Sequence, residues 1–254
     1  MHPEIDIGPL TLQSFGICFA AAFVAAGLVV ARRLVEWGKP GDWAYEMIFA
    51  GLVGGIVGSR IDFIIENYDQ VKDDLLGNIF SGSGLVWYGG LIGGAIGVAI
   101  WAHYRDLFNL ALLDLAAVPL ALGYAIGRIG CQLSGDGDYG QPWDGPWAMA
   151  YPEGTVATDV PVHPTPIYET LAMGLVAYAL WRLRDRFRPG ILFALYLVAA
   201  GTERFLVEFI RRNEEVIAGL TQAQLLSLVM IVWGGTWIAV KVRRGELLTR
   251  ARSG

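Results

Sequence analysis

Charge is scarce in this chain. Asp, Glu, Lys and Arg make up 17% of its 254 residues, where a soluble domain carries about a quarter. Hydrophobic residues reach 54% and mean hydropathy is positive, which together exclude an ordinary water-soluble globule. Cysteine is rarer still: Cys18 lies in an apolar run and Cys131 in a glycine-rich one. Two thiols so placed give neither a disulfide framework nor a metal-ligand spacing. The three histidines, His2, His103 and His163, are scattered and suggest no metal site. Residues 1–8 carry Glu4 and Asp6 but no Lys or Arg. That stretch lacks the basic start of a secretory signal, and no small-residue cleavage site follows, so no signal peptide is expected. The formal charge of −5 is no evidence for an acidic partner, because the charges are sorted into alternate loops, and no nucleic-acid partner is expected.

Long apolar runs are what the chain has in abundance. Seven of them, at about residues 10–31, 47–65, 85–103, 110–127, 166–181, 191–210 and 224–240, are read as spans of the roughly 20-residue kind that crosses a bilayer. The expected fold is an all-α integral membrane protein with seven transmembrane helices. It is one polytopic domain over residues 1–254, with an outer head at about 130–162 that is rich in Gly, Pro, Trp and Asp.

An odd number of spans puts the two ends on opposite sides, and the basic residues choose which. Arg32, Arg33, Lys39, Arg105, the series Arg182, Arg184, Arg186 and Arg188, and the tail from Lys241 to Arg252 fall on one side; they are 13 of the 19 Lys and Arg. Arg60, Lys72, Arg128, Arg204, Arg211 and Arg212 fall on the other. Cytoplasmic loops hold the excess of Lys and Arg, so the N-terminus is expected outside and the C-terminus in the cytoplasm. Trp143, Trp147 and Tyr151 suit an anchoring belt at the outer interface.

Spans two and three are thick with glycine: Gly51, Gly54, Gly55 and Gly58, then Gly89, Gly90, Gly93, Gly94 and Gly97. Small residues at i, i+4 let helices pack closely. Gly89 and Gly90 have a second reading, in which bare backbone approaches a ligand. Asp114, in span four, is read as structural. The two halves show no inverted repeat, which disfavours common transporter designs.

The chain is organised around residues 127–140, where Arg128 ends an apolar run and an acidic, glycine-rich stretch follows. An arginine at bilayer depth costs about 2.5 kcal/mol or more, so it needs a partner, a phosphate-bearing ligand or a place near the interface. Five glycines in these fourteen residues imply close backbone approach or positive φ. Other ionisable groups collect at the same side: Arg60, Asp62 and Glu66 on span two, and Glu203, Arg204 and Glu208 on span six. Arg204 and Glu208, at i, i+4, share a helix face and can pair. Two readings stand: structural ion pairs between helices, or a pocket for an anionic lipid head group, for which arginine's planar fork is suited.

Several motifs occur in a telling order. They are Gly58-Ser59-Arg60-Ile61, the segment from Tyr88 to Gly93, Gly127-Arg128-Ile129-Gly130 with a glycine-acid step, the segment from His163 to Glu169, and the segment from Arg204 to Phe209. Gly8-Pro9-Leu10 precedes them and the segment from Gln224 to Ser227 follows. Together they resemble the prolipoprotein diacylglyceryl transferases of the bacterial inner membrane, over nearly the whole chain.

The resemblance implies an enzyme that moves the diacylglyceryl group of phosphatidylglycerol onto the lipobox cysteine thiol of secreted lipoprotein precursors. Glycerol-1-phosphate leaves, and the site faces the periplasm. It implies no metal and no soluble cofactor. It also implies that Arg128 and Arg204 hold the phosphate, that Glu208 orients Arg204, and that Arg60, Gly89, Gly90, Gly140, His163 and Tyr168 serve substrate binding. Asp136 stands where the family usually has Glu, and the glycine-acid step is one residue longer.

Three departures bear on how the thiol is activated. Tyr88 replaces the family's histidine base, Cys131 replaces an asparagine, and Phe15 replaces a tyrosine. A phenol, with an ordinary pKa near 10, is a poor base at neutral pH. Tyr88, Asp136 and Glu208 are the candidates for activating the thiol, or else the acceptor has changed. The alternatives are a divergent paralogue using the same phospholipid with another acceptor, and a non-enzymatic lipid-binding or transport protein. Cys131 is either a spectator filling a small space or a reactive thiol.

Overall fold

The computed structural model describes residues 2–7, 10–72 and 86–249. Gly8 and Pro9, the expected start of span three at Leu85, and Arg250 and Arg252 lie outside the described residues. Among the described residues seven helices of 18 residues or more are present: α1 (Ser14–Glu36), α2 (Trp43–Glu66), then, beyond the short α3 (Tyr68–Val71), α4 (Trp87–Tyr104), α5 (Leu110–Ser134), α6 (Thr165–Leu183), α7 (Ile191–Glu208) and α8 (Gln222–Arg243). Four of them, α1, α2, α5 and α8, are long and apolar enough to cross a membrane. In hydrocarbon a backbone must satisfy its own hydrogen bonds, which a helix does internally. Val24, Leu28, Phe49, Ile56 and Ile65 on these helices are all exposed, as side chains facing lipid tails are. This is a membrane protein.

The fold is mostly helical rather than all-α. Among the described residues three antiparallel strand pairs are present: β1–β2 (Glu4–Ile7, Leu10–Gln13) ahead of α1, and β3–β4 (Met149–Tyr151, Thr158–Val162) and β5–β6 (Glu215–Ile217, Leu220–Thr221) in the connections between helices. They are too short to show as alternating apolar patterns. The last turns on Ala218 and Gly219, both at positive φ (53° and 75°). It delivers Thr221, whose hydroxyl caps α8 in a capping box with Gln224. This sets the helix start two residues before the expected Gln224.

The chain divides into two compact units, Met1–Val29 with Leu113–Gly254, and Val30–Leu112. In the second unit, α2 and α4 meet along a glycine seam. A Cβ on Gly58 would lie 2.8 Å from the Gly93 Cα, and one on Gly54 would lie 3.2 Å from the Gly97 Cα. Those distances admit hydrogen and nothing larger, so the glycines there are required for packing. Ser59 Oγ donates to the Val86 carbonyl at 2.7 Å, and the Gly89 N–H donates to Asp62 Oδ2 at 2.9 Å. Asp62 thus satisfies a free amide at the start of α4, where helix N–H groups have no partner of their own. At the other end Glu46 accepts from Trp101 Nε1 at 3.0 Å and from Arg105 Nε at 2.8 Å.

In the first unit the core joins Ala117, Val118, Ala121 and Ala125 of α5 to Met173, Ala177 and Leu180 of α6 and Leu192 of α7. The alanines on α5 bring the helices close. Gly130 does the same for α1: a Cβ there would lie 3.0 Å from the Cys18 Cβ and 3.4 Å from the Phe15 Cα. Asp114 accepts from the Gly190 and Phe193 N–H groups (2.7 and 2.9 Å) and so caps the start of α7, a structural role. The head carries its own small core of Tyr139, Tyr151 and Val162, with the two rings stacked at 4.8 Å. Tyr151 is therefore no interfacial anchor. It is fully buried, with its hydroxyl donating to Gln132 Oε1 at 3.0 Å. Trp147, 59% exposed, keeps the anchoring reading.

Candidate functional site

Helix α5 runs further than its apolar stretch. Residues 128–134 continue it, so Arg128 and Cys131 project from its last turns and the loop begins at Gly135. Gly135 and Gly137 take positive φ (57° and 93°), which turns the chain back over the helix end. The Asp138 N–H donates to Asp136 Oδ1 at 3.2 Å, and the turn aims the Asp138 carboxylate at Arg128.

At this end of the unit, α5 and α7 finish and α6 and α8 begin. Glu169, in the first turns of α6, has no exposure and gathers its neighbours. The Tyr124 hydroxyl donates to its Oε1 at 2.9 Å, as does Arg204 Nη1 at 3.1 Å. Arg128 Nε lies 3.2 Å from its Oε2, and Arg211 Nη1 donates to the same oxygen at 3.4 Å. Asp138 is paired to both Arg128 and Arg211. Glu208 Oε2 lies 2.9 Å from Arg204 Nη2, without hydrogen-bond alignment, and its Oε1 accepts from Asn213 (2.5 Å) and from Thr221 (2.8 Å). Three guanidiniums thus face three carboxylates.

Taking six charges out of water costs several kcal/mol per ion, which pairing only roughly offsets. A cluster of this kind is weak as a stabilising device and well suited to meeting another ion. Burial pushes the Asp138 carboxyl up, but Arg128 and Arg211 beside it outweigh that and hold it below the ordinary carboxylate range. Arg211 Nε makes no hydrogen bond among the described residues, and its nearest acid is Glu208, with Oε2 at 3.9 Å.

Gly140 lies where three segments cross. A Cβ there would come within 2.9 Å of the His163 Cβ and 3.0 Å of Thr165 Cγ2. Its N–H donates to the His163 carbonyl at 2.8 Å, and its carbonyl accepts from Arg212 Nε at 2.9 Å. His163 stacks on Trp143 with 4.4 Å between centroids, and its Nδ1 lies 3.3 Å from the Tyr168 hydroxyl, which accepts from Trp147 Nε1 at 2.7 Å. Cys131 is buried, with Arg128 Nη1 at 3.8 Å from its sulfur. Cys131, Asp136 and Asp138 bring one donor atom each within 4.8 Å of one another. Arg128 and Arg211 pair with the Asp138 oxygens.

Of the residues singled out in the sequence, Arg128, Arg204 and Glu208 fall in one network, with Asp136, Gly140, His163 and Tyr168 in the segments around it. Arg60, Tyr88, Gly89 and Gly90 belong to the second unit. There Arg60 is buried with its guanidinium over the Phe63 ring at 5.6 Å, and Tyr88 is 38% exposed. Four members of the network were given no role by sequence reasoning: Tyr124, Asp138, Glu169 and Arg211. A signal existed for two of them. Glu169 closes the His-Pro-Thr-Pro motif inside an apolar span. Arg211 stands three residues beyond Glu208 and seven beyond Arg204, on the same helical face.

A family profile described as prolipoprotein diacylglyceryl transferase matches residues 4–240. A protein of Clostridium tetani named phosphatidylglycerol–prolipoprotein diacylglyceryl transferase is 32% identical over 240 residues, covering 92% of this chain and 95% of its own length. Proteins of the same name from Bordetella avium (30% over 262 residues, 96% and 97% covered) and Vibrio parahaemolyticus (29% over 262 residues, 98% and 93% covered) are similar end to end.

Proposed function

The chain belongs to the prolipoprotein diacylglyceryl transferase family, and from that membership we propose that its donor is phosphatidylglycerol and its acceptor the lipobox cysteine thiol of secreted lipoprotein precursors. The thiolate sulfur attacks the glyceryl carbon that carries the phosphoester. The carbon–oxygen bond breaks, glycerol-1-phosphate leaves with the electron pair, and a thioether remains. The thiolate is the nucleophile in such chemistry, and cations facing the departing phosphate stabilise the charge that develops on it.

The observation that carries this reading is the convergence of Arg128, Arg204 and Arg211 on the buried Glu169. Arg128 and Arg204 grip the phosphodiester, with Arg211 beside them on Glu169. Glu208 holds Arg204 in place, and the carboxylates keep the site neutral until the lipid phosphate arrives. Gly140, His163 and Tyr168 shape the approach. Asp136 and Tyr88, as candidates for thiol activation, and Arg60, Gly89 and Gly90, as substrate-binding residues, take the roles their motifs imply.

The same proposal includes a single polytopic domain of seven spans in the bacterial inner membrane, with the N-terminus outside, the C-terminus cytoplasmic and the site toward the periplasm. The sorting of Lys and Arg between alternate loops supports this orientation.

Purified protein given phosphatidylglycerol and a lipobox peptide should yield the diacylglyceryl thioether of the peptide, read by mass spectrometry. A folded, lipid-binding preparation that makes no such product rejects the assignment.

A further inference from the structure

Three carboxylates face the arginines, and they do so in two ways. Asp138 turns both oxygens to guanidiniums, Oδ2 to Arg128 and Oδ1 to Arg211. Glu169 does the same, with Oε1 to Arg204 and Oε2 to Arg128 and Arg211. Glu208 offers one oxygen only. Its Oε2 lies 2.9 Å from Arg204 Nη2 and 3.9 Å from Arg211 Nε, hydrogen-bonded to neither. Its Oε1 accepts instead from Thr221 Oγ1 at 2.8 Å and from Asn213 Nδ2 at 2.5 Å. Asp136 stands apart from these ion pairs: its Oδ1 accepts from the Asp138 N–H at 3.2 Å.

The two donors on Glu208 Oε1 are independent of each other. Thr221 opens α8, and its hydroxyl has two tasks. The oxygen accepts from the Gln224 N–H at 3.2 Å, which caps the helix, while the proton goes to Glu208. Capping needs only the oxygen, so the bond to Glu208 is additional. Asn213 lies between α7 and β5, is exposed, and takes no part in that cap. A carboxylate free to turn would present both oxygens to Arg204 and form the two-pronged pair that arginine and carboxylate favour. That pair would occupy the donors a phosphodiester needs.

We propose that Thr221 and Asn213 are positioning residues for the lipid donor, a role that rests on the transferase reading above. By holding Glu208 through Oε1, they limit it to one oxygen at Arg204. One oxygen orients the guanidinium without using up its fork. Without the two donors the carboxylate closes on Arg204 and Arg211, and the lipid phosphate must displace it. Neither residue meets the reacting atoms; both act through Glu208 on affinity for the phospholipid.

The test is Asn213→Ala and Thr221→Val in the purified full-length protein, compared with wild type by equilibrium binding of phosphatidylglycerol and by steady-state turnover. Each should raise Kd and KM for the lipid about five- to tenfold, the scale of a lost hydrogen bond to a charged group. Turnover should stay within about threefold in kcat, the pattern of lost ground-state binding. Thr221→Ser, which keeps the hydroxyl, should restore wild-type values. In a Glu208→Ala background neither substitution should move Kd by more than about twofold, because residues acting through one group are not additive. A purely structural role predicts the reverse: Thr221→Val would lower the melting temperature through the lost cap, and Asn213→Ala would leave Kd unchanged. An unchanged Kd in Asn213→Ala, or losses that persist without Glu208, overturns the proposal. If Thr221→Val does not fold, the exposed Asn213 carries the test alone. Lipid binding that follows this pattern in a preparation with no turnover would reject the transferase reading and leave the positioning roles standing.

Discussion

Arg204 reaches from α7 to α6, where its Nη1 donates to Glu169 Oε1 at 3.1 Å, while its Nη2 lies 2.9 Å from Glu208 one turn along its own helix. One guanidinium is thus fixed by two acids on two helices. A planar fork held at both tines points its remaining donors in one direction, which is what gripping a phosphodiester requires.

Removing that fork should stop catalysis. Arg204→Ala and Arg128→Ala are each expected to lower kcat by at least about 10²–10³-fold, the usual cost of a donor facing developing charge. Lysine at either position should recover less than about a tenth of the rate, since a point charge does not reproduce the two-pronged geometry. Steady-state kinetics with phosphatidylglycerol in mixed micelles measures both, and near-normal rates would remove the phosphate clamp.

Glu169 should matter to stability more than any other acid in the unit. It is fully buried and meets Arg128, Arg204 and Arg211. Glu169→Gln leaves three guanidiniums short of a counter-ion, and breaking buried pairs in this way costs about 3–5 kcal/mol. Chemical unfolding in detergent should register the loss. A change within about 0.5 kcal/mol, the scale of ordinary surface substitutions, would mean that Asp138 and Glu208 suffice.

The Asp138 carboxyl titrates below its ordinary value because Arg128 and Arg211 outweigh the effect of burial. A folded-state pKa lowered in this way contributes stability that is complete above the unfolded value, about 3.9. That contribution disappears as pH falls through the folded value. Wild-type melting temperature should therefore drop below about pH 4 more steeply than that of Asp138→Asn, with the two profiles running parallel above it. Parallel profiles throughout would show that Asp138 is not coupled to folding.

Glycine substitutions should sort by contact rather than by sequence neighbourhood. Gly58→Ala places a methyl against the backbone of Gly93 and should cost about 1–3 kcal/mol through overpacking. Nothing lies within 4 Å of the Cβ position of Gly123 or Gly174. Alanine at those helical positions should be neutral or stabilising by up to about 1 kcal/mol. Thermal melts of the three variants test this, and equal losses would refute the seam.

One misplaced boundary and one misplaced side chain show where sequence reading stops. The apolar stretch of α5 ends near Gly127 and a loop is expected from about residue 130, yet the helix runs on to Ser134. Tyr151 read as an interfacial aromatic because a tyrosine in a polar loop looks exposed. The stacked Tyr139 and the acceptor on Gln132 that bury it lie 12 and 19 residues away, beyond any local pattern.

The sequence by itself determined that this is a membrane protein, where its long helices run, which family it joins, and that Arg128 and Arg204 needed an explanation. Each of these follows from composition, periodicity or motif order, which are local properties of the chain. Only the tertiary structure decided which carboxylate each arginine meets. It made Asp138 rather than Asp136 the acid beside Arg128 and brought in Glu169 and Arg211. Pairing among six charges depends on helix ends far apart in sequence arriving within about 3 Å of one another, and a one-dimensional string carries no record of that distance.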